Sequence, residues 1–165
     1  MSVNKYQDHV YVIPEDDADR QIADGFVLHP GVRANQVQVV EPAGGWRPVI
    51  DTFLKEYLPL LKQNLRTHVV MIVDFDSHPS GRRTQVASEV PASVQDRVFI
   101  IGPFDTPEAL RKELNRGGFE DIGQELAEEC DRGVLEVWSH AHMEDNDDER
   151  RRLIEIVKPF LFQSS

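Results

Sequence analysis

The chain has 165 residues, 40% apolar and 28% charged, a balance that excludes a disordered segment or a fibrous repeat and fits one globular domain over residues 1–165. No apolar run approaches the roughly 20 residues a bilayer requires, and the polar start from Met1 to His9 carries no signal-like stretch, so a cytoplasmic protein with no membrane partner is expected. Acids outnumber bases 29 to 18, and the formal net charge of −11 excludes broad, basic coating of nucleic acid.

Val10-Tyr11-Val12-Ile13 reads as a first strand, stopped by Pro14. A helix follows from about Asp16 to Val27, with Ala18, Ile22, Ala23 and Phe26 marking its buried face and acids in its first turn. His29-Pro30-Gly31 breaks the chain before a second strand, Val37-Gln38-Val39-Val40, and a loop at Pro42-Ala43-Gly44-Gly45. The spacing of Val49, Ile50, Phe53, Leu54, Tyr57, Leu58 and Leu61 predicts a helix from Pro48 to Asn64, kinked or broken at Pro59. Val69 to Val73 is a third strand, apolar throughout and so buried on both faces.

Ser77 to Gly81 reads as a loop and Arg82 to Val90 as a short helix. Val98 to Ile101 is a fourth strand, ended by Gly102-Pro103. Thr106, Pro107 and Glu108 open a helix to about Asn115, with threonine as cap and proline at its first position. Gly117-Gly118 ends it, and Phe119 to Cys130 is helical again, with Ile122 and Leu126 inward. Asn146 with Glu149 three residues on has the form of a capping box for a last helix through Val157, which Pro159 ends. Strand and helix alternate, so the fold expected is α/β: a mostly parallel central sheet of about four strands, helices on both faces, and further helices at the C-terminus.

The third strand runs directly into Asp74-Phe75-Asp76, and the first into Glu15-Asp16-Asp17. Alternation along an extended chain would send Asp74 and Asp76 the same way. The carboxyl ends of strands are where α/β sheets bind ligands. Carboxylates gathered there suit a hard divalent cation, which takes oxygen ligands and retains several waters. Glu15, Asp74 and Asp76 are therefore the candidate metal-binding and catalytic residues, for Mg²⁺ or Mn²⁺.

A glutamate after the first strand and an Asp-x-Asp after the third, in this strand–helix order to Ile101, resemble the Toprim domain of topoisomerases, bacterial primases and OLD-type nucleases. The whole chain resembles small stand-alone bacterial Toprim-like proteins. The resemblance implies a Rossmann-like fold and a Mg²⁺- or Mn²⁺-dependent phosphodiesterase or nuclease acting on nucleic acid, with Glu15 also in proton transfer. It also matches Asp105 to a further acid that some members carry after the fourth strand. Two departures stand out: Asp16 follows Glu15 where the family usually has glycine, and the glycine expected soon after the Asp-x-Asp comes only at Gly81.

Around these acids, Asp16, His78, Arg82, Arg83 and Asp105 are candidate accessory residues, His78 for proton transfer and the arginines for phosphate. His140-Ala141-His142 offers two ligands of a zinc site and no others nearby, and reads as a loop. Cys130, the single cysteine, reads as a core filler, with its acidic neighbours disfavouring a thiolate. Trp46 and Trp138 read as covers for core edges. The second reading is a non-catalytic Toprim-like or receiver-like module that binds another protein, with Asp74 as phospho-acceptor in the receiver form.

Overall fold

The computed structural model describes residues 2–115 and 117–163; Met1, Arg116, Ser164 and Ser165 lie outside the described residues. Four strands, β1 (His9–Pro14), β2 (Val37–Val39), β3 (Thr67–Ile72) and β4 (Val98–Ile101), form one sheet in the order β2-β1-β3-β4. Every pairing is parallel, with Val12 beside Val39 and Val70, and Val70 beside Phe99. All six residues of β3 are buried, the polar Thr67 and His68 at its start as well as the apolar run from Val69, as befits a central strand.

Side-chain alternation divides the core into two layers. Val10, Val70, Ile72 and Phe99 face one side, and Ile13, Val69, Met71 and Ile100 the other. In chain order the helices are α1 (Asp17–Val27), α2 (Trp46–Thr52), α3 (Leu58–Gln63), α4 (Pro79–Ala87), α5 (Pro107–Leu114), α6 (Phe119–Arg132), α7 (Asp147–Ile156) and α8 (Lys158–Leu161). The first face carries α1, α5, α6, α7 and α8; the second carries α2, α3 and α4. The α/β architecture with helices on both faces and at the C-terminus is as the sequence predicts. No helix among the described residues is long and apolar enough to cross a membrane.

Helices α1 and α6 pack at glycines. A Cβ on Gly25 would strike the Glu120 backbone, and one on Gly123 the Ile22 carbonyl, so the two axes approach as only glycine allows. Pro59 does break the predicted long helix, in a particular way. It has no N–H to return to the carbonyl four residues back, and the turn before it widens into a π-helical stretch over Phe53–Tyr57, with the Leu58 N–H bonded to the Phe53 carbonyl.

At the C-terminus the structure differs from the sequence reading in two places. α7 stops at Ile156, beside the expected end at Val157, but Pro159 then lies in the first turn of a further short helix, α8, and Phe162 forms a bridge with Val32. Asn146 and Glu149 do not form a capping box; the Asn146 side chain makes no cap bond to α7. Asn146 instead accepts from the Gly102 N–H at 3.0 Å and donates to the Gly102 carbonyl at 2.7 Å, while Glu149 accepts from the Ile100 N–H at 2.7 Å. Arg83 donates to the Ile100 carbonyl and Arg152 to that of Val98. These side chains satisfy the open edge of β4 as a fifth strand would, a means of protecting an edge from pairing with another chain.

Candidate metal centre

The site is built at the carboxyl ends of the two middle strands. β1 closes on Pro14 and the chain turns through Glu15 into α1. Asp16 caps that helix by accepting the Asp19 N–H at 2.9 Å. From β3, Val73 still donates to the Ile101 carbonyl at 3.0 Å, and Asp74 then donates its N–H to Glu15 Oε1 at 3.2 Å. That bond joins the two strand ends. One carboxylate oxygen from each of Glu15, Asp16 and Asp74 lies within 4.8 Å of the others, a spacing one cation could bridge. Asp16, taken from sequence as accessory, is thus a full member of the group.

Asp76 stands outside this triad. The extended chain ends at Phe75, because Asp76 and Ser77 adopt φ values of +48° and +65°, so the alternation that would align Asp76 with Asp74 stops one residue short. Asp76 is half-exposed and its carboxylate pairs with Arg82 at 3.2 Å. Its N–H bonds to the Asp105 carbonyl at 3.2 Å, and Asp105 Oδ1 accepts from the Ser77 hydroxyl at 3.2 Å. Asp105 therefore shapes the turn.

Arg82 holds the same turn from the other side. It donates to the Asp74 carbonyl at 3.0 Å, and its guanidinium lies 4.4 Å from the centre of the Trp46 ring. Arg83 points elsewhere: besides the Ile100 carbonyl it donates to Asn146 and the Asp145 carbonyl at 3.2 Å, and it stacks on Phe75. Among the arginines expected at the site, only Arg82 reaches these acids. His78 is exposed at the cap position of α4.

Behind the triad lies Asp19, which the sequence reading does not single out. It is 0% exposed, and as a carboxylate neither of its oxygens has a hydrogen-bond donor; Asp74 Oδ1, on a residue 4% exposed, has none either. Two ionised carboxylates cannot bond to each other, but one proton between them makes Asp19 a donor to Asp74. Burial, followed by the charge of Asp74, pushes the Asp19 carboxyl far above the usual carboxylate range. Burial also raises Asp74, against the hydrogen bond from Asp19 and together with the charge of Glu15. Glu15 is raised by burial as well, an effect opposed by the Asp74 N–H. A buried carboxylate pair of this kind takes up either a proton or a cation.

The remaining candidates resolve into structure. His140 Nδ1 accepts the His142 N–H at 3.0 Å within a turn, and neither residue joins a ligand group of three or more among the described residues. His29 lies with Glu128 and Asp131, but its Nδ1 accepts the Gly31 N–H at 3.0 Å, which leaves Nε2 protonated toward Glu128 at 2.7 Å. With both ring nitrogens engaged, this histidine has no lone pair for a metal. The Cys130 thiol is raised to about 11 chiefly by burial, the acidic neighbour Glu129 being the smallest contribution. Trp138 is buried and donates to the Leu126 carbonyl at 3.0 Å, whereas Trp46 is a partner of Arg82 at the site rather than a core edge alone. No protein-family model, curated protein or solved structure matches this chain.

Proposed function

We propose that Glu15, Asp16 and Asp74 bind one Mg²⁺ or Mn²⁺ and that the protein is a Toprim-like, metal-dependent phosphodiesterase acting on nucleic acid. The observation that carries this reading is Asp19: a carboxylate buried against Asp74 without a donor, directly behind three more carboxylates that share a few ångströms. Burying negative charge in this way is costly unless a proton or a cation neutralises it. The donor set is all oxygen, which suits a hard cation and disfavours zinc or copper. Placement on the two central strands, after the first and third in chain order, also agrees with the Toprim resemblance.

When bound, the cation supplies neutralisation of phosphate charge and a more acidic water. The protein's own groups set where this happens. Asp74 is fixed through its N–H to Glu15 and its carbonyl to Arg82, so neither strand end shifts without the other. Arg82, braced on Trp46, offers positive charge beside a strongly negative rim. Asp19 holds the proton that a cation would displace.

A second reading, a non-catalytic module that binds another protein, is favoured by the pairing of Asp76 with Arg82, which occupies the second acid of the Asp-x-Asp. In its receiver form Asp74 would accept a phosphoryl group, and the burial of Asp74 opposes that. Incubation of labelled RNA and DNA with the protein and Mg²⁺ or Mn²⁺ distinguishes the readings. The enzyme reading predicts cation-dependent cleavage lost in Asp74→Asn; absence of cleavage, or equal cleavage by the variant, overturns it in favour of the binding module.

A further inference from the structure

Tyr6, 91% exposed, and Leu65, 80% exposed, are the two most exposed large apolar side chains among the described residues. They lie just before β1 and β3, at the opposite end of the parallel sheet from the acidic triad. Each sits on a β-turn headed by an asparagine. In residues 4–7 the Gln7 N–H bonds to the Asn4 carbonyl at 3.3 Å, and Asn4 Oδ1 accepts the Tyr6 N–H at 3.1 Å. In residues 64–67 the Thr67 N–H bonds to the Asn64 carbonyl at 3.1 Å, and Asn64 Oδ1 accepts the Arg66 N–H at 3.0 Å. Asn64 Nδ2 then donates to the Lys5 carbonyl at 3.1 Å, which ties the two turns together. One exposed apolar side chain is ordinary. Two, held outward on turns bonded to each other, form a built feature.

Three cations flank them in the chain. Lys5, Lys62 and Arg66 are exposed, and none forms an ion pair with a described carboxylate. Acids outnumber bases 29 to 18, and elsewhere Arg20, Arg47, Arg82 and Arg150 are all paired, so three free cations in one place stand apart.

A standard protein interface needs about 800 Å² per partner, and an aromatic side chain offers about 200 Å², so two protruding side chains fall short of one. A nucleic-acid strand could use the cations and Tyr6, but has little use for a leucine. Beyond the turns its phosphates would also run along a molecule of net charge −11. A bilayer touched end-on meets only the turns. Leucine enters the acyl boundary, tyrosine stays at headgroup level, and the cations meet anionic headgroups.

We propose that the paired turns bearing Tyr6 and Leu65, with Lys5, Lys62 and Arg66, dock the protein reversibly on an anionic membrane surface. The sequence expectation of no membrane partner rests on the lack of a spanning run and of a leader, and surface docking needs neither. The proposal does not rest on the metal reading.

Co-sedimentation of the full chain with phosphatidylcholine vesicles, with and without about 30% phosphatidylserine, tests it. EDTA is present throughout, so that no cation bridges an acid to a lipid and the outcome is independent of the triad. Binding is expected to the anionic vesicles alone, and it should fall at least about fivefold in 1 M salt, where the Debye length is about 3 Å. The double variant Tyr6→Ser, Leu65→Ser should bind at least about tenfold more weakly. Both side chains are exposed, so this variant keeps the fold. The double variant Lys5→Glu, Arg66→Glu keeps both apolar side chains and should not bind. Absence of binding to either vesicle, equal binding to neutral and anionic vesicles, or equal binding by parent and the Tyr6, Leu65 variant overturns the proposal. A labelled single-stranded oligonucleotide is the competing probe: if the parent binds it and ignores vesicles, the proposal is overturned in favour of nucleic acid.

Discussion

Two buried carboxylates, Glu129 and Asp19, are treated in opposite ways by this fold. Glu129, 6% exposed in α6, accepts the backbone N–H groups of Glu136, Val137 and Trp138 at 2.9 to 3.1 Å. The loop after α6 is folded around it. Asp19, 0% exposed in α1, receives no donor and faces another acid. A carboxylate buried for architecture brings its donors with it; one buried without donors against further carboxylates is poised for a cation or a proton. The contrast separates an acid buried with its own donors from the one on which the proposed metal site rests, with no appeal to relatives.

The largest effect of a single substitution should come from removing the first of these. Glu129→Ala leaves three N–H groups without their charged acceptor and should cost at least about 3 kcal/mol in urea denaturation, with Mn²⁺ affinity unchanged in the folded protein. A cost under about 1 kcal/mol would remove Glu129 as the counterexample. On the functional side, Asp74→Asn should weaken Mn²⁺ binding about 100-fold, or about 2.7 kcal/mol, by calorimetry. Asp19→Asn should also weaken binding, yet leave the metal-free protein as stable as the parent or more so, since the amide can donate where the protonated acid did. A metal-free Asp19→Asn that unfolds readily would move Asp19 into the class of Glu129.

The pair also sets a pH dependence whose sign is the reverse of ordinary acid denaturation. Asp74 is raised to about 8 in the folded protein, mainly by burial, and Asp19 higher still. A raised pKa contributes stability that is fully present below the ordinary carboxylate range and is lost as pH rises through the folded value. Metal-free protein should therefore lose stability as pH rises from about 4 through 8, on the order of 5 kcal/mol, and continue to lose it above pH 8 as Asp19 ionises, in thermal or urea unfolding. The slope should be smaller in Asp19→Asn and smaller again with saturating Mn²⁺. A flat profile for the metal-free parent contradicts the shared proton. The smallest effect is expected at Arg82: Arg82→Gln frees the Asp74–Asp76 turn, costing about 1 kcal/mol and weakening Mn²⁺ a few-fold.

The sequence disclosed the sheet and half of the site for the same reason. Glu15 and Asp74 end apolar runs, and an acid following such a run must lie at a strand's exit. Asp16 stood in the sequence at the start of a helix and as an accessory acid; its capping role and its place beside Glu15 and Asp74 come from the folded turn. Asp19 carried a signal of its own: it precedes Ala23 by four positions and Phe26 by seven, so it belongs to the buried stripe of α1, where an acid is out of place. Asp76 could not be oriented from the pattern, because a left-handed turn at Asp76 and Ser77 cancels the alternation that the argument assumed. Asn146 and Glu149 fit a local template, yet their partners Gly102 and Ile100 lie more than forty residues away. Local spacing cannot distinguish a helix cap from side chains that complete a sheet edge.

A crystal soaked in Mn²⁺ and measured for anomalous scattering tests the central claim most directly. One peak is predicted within coordination distance of Glu15, Asp16 and Asp74, at about 2.0–2.3 Å, with Asp19 behind it. A crystal in which that position stays empty, or in which manganese binds only at scattered surface acids, would contradict the account.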